Sequence, residues 1–195
     1  MAYCDEDQVK IYLGIAEDTD DALIVPLINR AQKFIEDYCH RKFEASADTT
    51  RKFDVEKDTA GATLYFDEDI CSIATVTNNA DGGVYAETIL NTEYVTLPRN
   101  YTPYHAIRIL SSADHFWTYT DDPEMGITVA GKWAYSLTAP LDIQQACIRY
   151  ASYLYRQKDS QVFDTTADAM TGMVTIPQRI PTDVKIVLDM YRKIV

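Results

Sequence analysis

VAGKWAYSLTAPLDIQQA, residues Val129 to Ala146, changes period in its middle. Up to Tyr135 the pattern is that of a strand. From Pro140 on it is that of a helix, opened by a proline at a favoured first helical position. Upstream lies a long β-type stretch. Ile143, Ala146, Cys147, Tyr150, Ala151 and Leu154 then recur at helical spacing, to an end near Lys158. A stripe of this kind needs apolar partners, and the nearest matching ones lie far back, before residue 44.

Those partners form the second of two N-terminal helices. The first is short. Asp5 and Gln8 have capping-box spacing, Val9, Tyr12 and Leu13 give an apolar stripe, and Gly14 is placed to stop it. The second begins near Thr19 or Asp20, with acids at its positive end. Ile24, Leu27, Ile28, Ala31, Phe34, Ile35, Tyr38 and Cys39 hold i, i+3, i+4 spacing over four turns. Pro26 interrupts them, so either a kink or a true start just before it is expected. A fourth helix is read over Pro181 to Lys193, with Val184, Val187, Leu188, Tyr191 and Ile194 apolar. No helix hides its stripe alone, and one small bundle is the simplest packing.

Between helices two and three the character changes. β-type runs fall at Arg51–Val55, Ala62–Phe66, Ile73–Thr77, Glu93–Thr96, Ala106–Leu110 and Gly126–Tyr135, separated by turn signals such as Asp58–Gly61. The fold expected is therefore α+β: a bundle of about four helices, residues 1–48 plus 138–195, with an antiparallel β-rich insertion, 49–137, between helices two and three. Residues 159–180 form a long connection, irregular over Ser160–Ala169 and extended over Gly172–Pro177.

The chain has 195 residues and 47% hydrophobic content, enough for a core without staples. Its net charge of −12 argues against gripping a nucleic-acid backbone, which needs basic patches. Residues 1–21 hold seven acids against Lys10 alone, whereas Pro177 onward carries Arg179, Lys185, Arg192 and Lys193 against Asp183 and Asp189. That contrast suits head-to-tail contacts between copies, or two solvated helix surfaces. The 14 tyrosines suit surfaces buried on contact, or the edges of a β-layer. No run is long and apolar enough for a membrane span, and the N-terminus has no signal-peptide core. Cys4, Cys39, Cys71 and Cys147 lack zinc-site spacing, and a reducing cytoplasm is expected.

No catalytic motif stands out, and the protein is expected not to be an enzyme, with no cofactor and no metal. His40 sits where a cation favours a helix end. His105 is read in a turn. His115 lies in an aromatic loop, Asp114–Trp117. Asp67-Glu68-Asp69 is the best metal candidate, but it lacks the spaced ligands of an EF-hand and reads as a solvated turn, as does Asp121–Glu124. An acidic-pocket hydrolase would need Asp67, Asp69, Asp114 and His115 in one cleft. A ligand- or glycan-binding module would need Trp117, Tyr119, Trp133 and Tyr135 on one exposed face.

Three stretches together carry a resemblance. They are Tyr12-Leu13-Gly14-Ile15 with the helix Asp20 to Phe43, the strand and helix start Gly131 to Ala146, and the end from Gly172 to Arg192. This order resembles the head–tail connector (adaptor) proteins of long-tailed bacteriophages and prophages. The resemblance implies a structural virion protein. Copies would form a ring, usually twelve-fold in the virion, beneath the portal protein. The ring would extend the channel for double-stranded DNA and dock a stopper or tail-completion protein. It implies the virion's head–tail interface, assembled in the bacterial host cytoplasm, as the location.

Acids around such a channel would repel the DNA backbone and let it slide. The candidates for that role are the N-terminal acids Asp5, Glu6, Asp7, Asp20 and Asp21, which also suit subunit contacts, or alternatively the β-rich insertion. Met173, Val174 and Ile176 are candidates for strand addition to a neighbour, and Arg179, Arg192 and Lys193 for charged contacts.

Overall fold

The computed structural model describes residues 3–17, 20–82, 85–160, 166–167, 174–175 and 180–193. It divides into two compact units, Met1–His40 with Pro140–Val195, and Arg41–Ala139.

The first unit holds α1 (Glu6–Leu13), α2 (Asp21–Cys39), α3 (Leu141–Ser160) and α4 (Thr182–Tyr191). α1 starts as its sequence dictates. The Gln8 N–H donates to the Asp5 carboxylate at 2.8 Å, and the Asp5 N–H donates to the Gln8 side chain at 3.1 Å. It stops at Gly14, whose φ of 73° is the left-handed conformation that glycine adopts without penalty. Val9 of its stripe is buried, but Tyr12 is exposed, and its hydroxyl accepts from Arg149 at 2.6 Å.

In α2 the buried residues are Ile24, Ile28, Ala31, Ile35 and Cys39, the centre of the expected stripe. The helix begins at Asp21, five residues ahead of Pro26, and runs through the proline. The carbonyl that loses its donor there belongs to Ala22, an exposed residue that water can reach. Pro140 and Pro181 each stand just ahead of a helix rather than inside it. Pro140 accepts from the N–H groups of Ile143 and Gln144, and Pro181 from that of Lys185.

Every residue of the α3 stripe named above is buried, from Ile143 to Leu154. The stripes meet. Phe34 and Tyr150 lie 4.7 Å apart between ring centroids. The Cys39 thiol donates to the Leu188 carbonyl at 3.6 Å, and the Lys193 N–H to the Cys39 carbonyl at 2.9 Å. Each fully buried Ile or Leu here contributes roughly 1.5–3 kcal/mol. The region read as irregular also contains order: Thr166–Ala167 pairs antiparallel with Val174–Thr175.

The second unit contains β1 (Thr49–Phe53), β2 (Thr59–Ala60), β3 (Thr63–Ile70), β4 (Ser72–Asn78), β5 (Glu87–Ile89), β6 (Tyr94–Leu97), β7 (Tyr104–Ile109) and β8 (Ile127–Lys132). They form two antiparallel four-stranded sheets, ordered β1-β8-β4-β5 and β2-β3-β7-β6. One core draws on both, with Leu64, Ile107, Val76, Ile127 and Val129 at its centre. Phe53, Phe66 and Trp133 pack as a ring cluster, with centroids 5.4–5.8 Å apart.

Six strands fall where the alternation places them. β2 and β5, of two and three residues, are too short to show a period. His105 lies within β7 and not in a turn.

Gly131 accounts for the glycine in the opening stretch. A Cβ there would stand 2.2 Å from the Ser72 carbonyl oxygen of the adjoining strand. Past β8 the chain returns beside its own point of departure. The Tyr135 N–H donates to the Lys42 carbonyl at 2.8 Å, and Glu44 and Ser136 form a parallel bridge.

Candidate partner-binding surfaces

The N-terminal acids occupy different surroundings. Asp5 is an exposed N-cap. Asp7 lies 3.9 Å from Lys10, whose ammonium reaches Asp21 at 3.0 Å. Asp20 accepts from the Tyr155 hydroxyl and from Lys158, the latter at 3.1 Å. The Tyr155 hydrogen bond, with Lys158 second, holds the Asp20 carboxyl below its ordinary range. Asp20 and Asp21 therefore tie α2 to α3 and α1. Their solvated appearance in sequence arises because those partners lie elsewhere along the chain.

At the other end, Arg192 is exposed and lies over the Tyr38 ring at 5.5 Å. The Lys193 backbone is bonded to α2 as described. Met173, Ile176 and Arg179 lie outside the described residues. Val174 pairs with Ala167, so one edge of that short strand is already taken by this chain.

The helical unit also exposes apolar side chains. Ile186 and Met190 lie one turn apart on α4, 59% and 68% exposed. Between α3 and α4 runs a shallow groove of about 120 Å³ lined by Ala146, Val184 and Val187, beside the Arg149–Asp183 ion pair at 2.6 Å.

In the β unit, Asp67-Glu68-Asp69 is not a solvated turn. The triplet lies within β3, where pairing with β7 is irregular between Tyr65 and Ile70. Arg51 reaches Asp67 at 2.9 Å and Glu68 at 2.6 Å, and its guanidinium lies 4.4 Å from the centre of the Trp133 ring. Buried Asp69 takes Arg41 at 3.1 Å. Among the described residues, no three His, Cys, Asp or Glu side chains are placed to share a metal.

The hydrolase cleft does not assemble. His115 lies between Glu87 on Nδ1, 3.1 Å, and Glu93 on Nε2, 3.2 Å, while Asp67 and Asp69 go to the arginines. The Glu93 hydrogen bond leads in raising the His115 pKa above 6.5, ahead of the opposing effect of burial. The aromatic platform does not form either. Trp117 and Trp133 are buried in the core, and only Tyr119 is exposed, with its hydroxyl 3.1 Å from Glu56.

The Asp121–Glu124 turn is organised by an acid that the sequence did not single out. Asp81 accepts from the N–H groups of Thr120, Asp121 and Asp122. Burial opposes its charge, but these donors outweigh burial and hold its pKa at about 2. Among the described residues no helix is long and apolar enough to cross a membrane.

A helical unit interrupted along the chain by a two-sheet β unit defines a protein of the α+β class. The family model for head completion protein matches residues 3–194, and the chain belongs to that family. It is a structural protein of the head–tail region of a phage-type virion.

Among solved structures it is similar to a chain in the neck of an empty GTA particle computed with C6 symmetry. Identity is 13% over 97% of this chain and 89% of that one, with a TM-score of 0.59. It is also similar to a chain of the virion of a native gene transfer agent (GTA) particle, at 12% identity, 91% and 80% coverage and a TM-score of 0.50. At such identities the likeness is one of fold. No curated protein matches the chain.

Proposed function

We propose that the protein is the head–tail connector, or adaptor, of its virion. Copies form a ring beneath the portal protein, twelve in the virion. The ring extends the channel through which double-stranded DNA passes, without sequence reading, and docks a stopper or tail-completion protein. Assembly takes place in the bacterial host cytoplasm. Membership of the head completion protein family carries this reading, and the fold shared with a particle neck supports it. The helical unit is the ring-forming core, and the β unit is an insertion in it. We assign the protein no catalytic role.

Asp5, Glu6 and Asp7 are the acids best suited to line the channel, because Asp20 and Asp21 are drawn into ties with α3 and α1. A negative lumen keeps the phosphate backbone from sticking. Arg192 and Lys193, near the end of α4, suit a contact with the portal or with the acidic segment of a neighbouring copy. Such a head-to-tail contact closes a ring when the rotation closes.

The test is to add the purified protein to portal-capped particles that lack it and image the vertex. A collar of new density below the portal is the expected result. A bare portal at saturating protein overturns the proposal.

A further inference from the structure

Two strand edges of the β unit open onto one cavity. β5 pairs with β4 only over Val76–Asn78. Ser72–Thr75 therefore has β8 on one side and, among the described residues, no strand on the other. β6 is the last strand of its sheet and pairs with β7 alone.

The direction of its free groups follows from one bond. The Leu110 N–H donates to the Glu93 carbonyl at 2.8 Å, one step beyond the Tyr94–Ile109 pair that opens the β6–β7 register. Antiparallel partners alternate between bonded and unbonded pairs. Tyr94 and Thr96 thus turn their N–H and C=O away from β7. The Ile109 N–H agrees, since it donates to Ala62 on the far side.

The cavity lies between these edges. It measures about 530 Å³ and is lined by Ser72 and Ile73 on one side and by Tyr94, Val95 and Thr96 on the other, with Arg99 from the next loop. That volume is in the range of natural ligand sites, roughly 300–1,000 Å³. Its charge runs against that of the chain. With 30 acids in the sequence, none lines this cavity, and among the described residues Arg99 has no ion pair.

We infer that this groove docks an extended peptide segment bearing a carboxylate, supplied by another protein of the particle. A row of alternating backbone donors and acceptors is matched by a strand, which adds to a sheet edge through its main chain. Arg99 supplies the charge-assisted pair that selects an acid within it. That the partner belongs to the particle rests on the family assignment. The chemistry of the groove does not, and its failure would leave the vertex-imaging result untouched.

The experiment is an NMR titration of the full-length protein. The probes are a heptapeptide alternating threonine and valine with a terminal aspartate, and the same peptide with lysine in its place. The expected shifts fall on the amides of Ser72–Thr75 and Tyr94–Leu97, with the aspartate peptide binding about tenfold tighter. Arg99→Glu, a change at an exposed position, reverses the preference. Thr96→Pro removes one outward N–H without touching the β7 pairs, and weakens both peptides at an unchanged melting temperature.

Shifts spread evenly over the surface, no shifts at these two edges, or equal binding of both peptides by wild type and Arg99→Glu would each overturn the inference. So would concentration-dependent broadening of the same amides without peptide, lost in Thr96→Pro. That result would give the groove to a second copy of this chain.

Discussion

The Tyr38 hydroxyl donates to the Asp189 carboxylate at 2.5 Å, across 151 positions of sequence. One residue on, Cys39 takes hold of the α4 backbone at Leu188. Arg192 covers the same tyrosine. The end of α2 is thus a receptor for α4, by way of a side-chain hydrogen bond, a backbone contact and a cation over a ring.

Leu188 is fully buried at this junction, whereas Met190 on the same helix is 68% exposed. Leu188→Ala should destabilise the protein by about 2–5 kcal/mol, from lost burial and the cavity left behind. Met190→Ala should stay within about 0.5 kcal/mol of wild type. Urea unfolding of the two variants makes the comparison. Equal midpoints would mean that α4 is not part of the core.

Gly131 has no room for a methyl group, because the obstructing atom is a backbone oxygen that cannot rotate away. Gly131→Ala should part β8 from the start of β4. The cost is on the order of 1–3 kcal/mol or more. The Ser72 and Ile73 amides should lose hydrogen-exchange protection, while those of α2 keep theirs.

The Asp81 carboxylate is charged in the fold down to a pKa of about 2, against an ordinary value of 3.8. A depressed folded pKa stabilises above the unfolded value and is lost as pH falls through the folded one. The Thr120–Asp122 loop should therefore loosen between about pH 4 and 2. Asp81→Asn should loosen it at neutral pH and remove that step. Amide exchange of Thr120 and Asp122 followed against pH reads both effects.

His115 behaves in the opposite sense. Its folded pKa is raised by Glu93 and Glu87, so its contribution is complete below the unfolded value near 6.5. It is lost as pH rises through the folded pKa. Wild-type melting temperature should fall across that interval, and His115→Gln should flatten the fall. A slope unchanged in the variant would assign it to another group.

The helices were legible because their apolar spacing survives whatever surrounds them. Ile24, Ile28, Ala31, Ile35 and Cys39 announce one face, and that face is buried. The longer strands showed themselves by alternation, but β5, at three residues, had none to show. Asp67, Glu68 and Asp69 read as a solvated charge run because Arg41 and Arg51 meet them through pairing between distant segments. Asp20 and Asp21 were ambiguous for the same reason. Trp133 gave no sign of its depth, since an aromatic reads alike whether it lines a surface or closes a core. The Asp81 loop anchor was missed because an acid beside Gly82 in a turn-rich run looks ordinary until its three donors, some forty positions later, are brought to it.

Tyr135 on Lys42 and Ser136 beside Glu44 clasp the outgoing and returning chain together at the root of the β unit. Seen from α2 and α3, everything beyond that clasp has the topological weight of a tight connector, and loop length itself adds little entropic cost. The excursion beyond the clasp can therefore lengthen or shorten while its own base stays closed. The clasp, and not the length of what it encloses, sets where the β unit begins and ends.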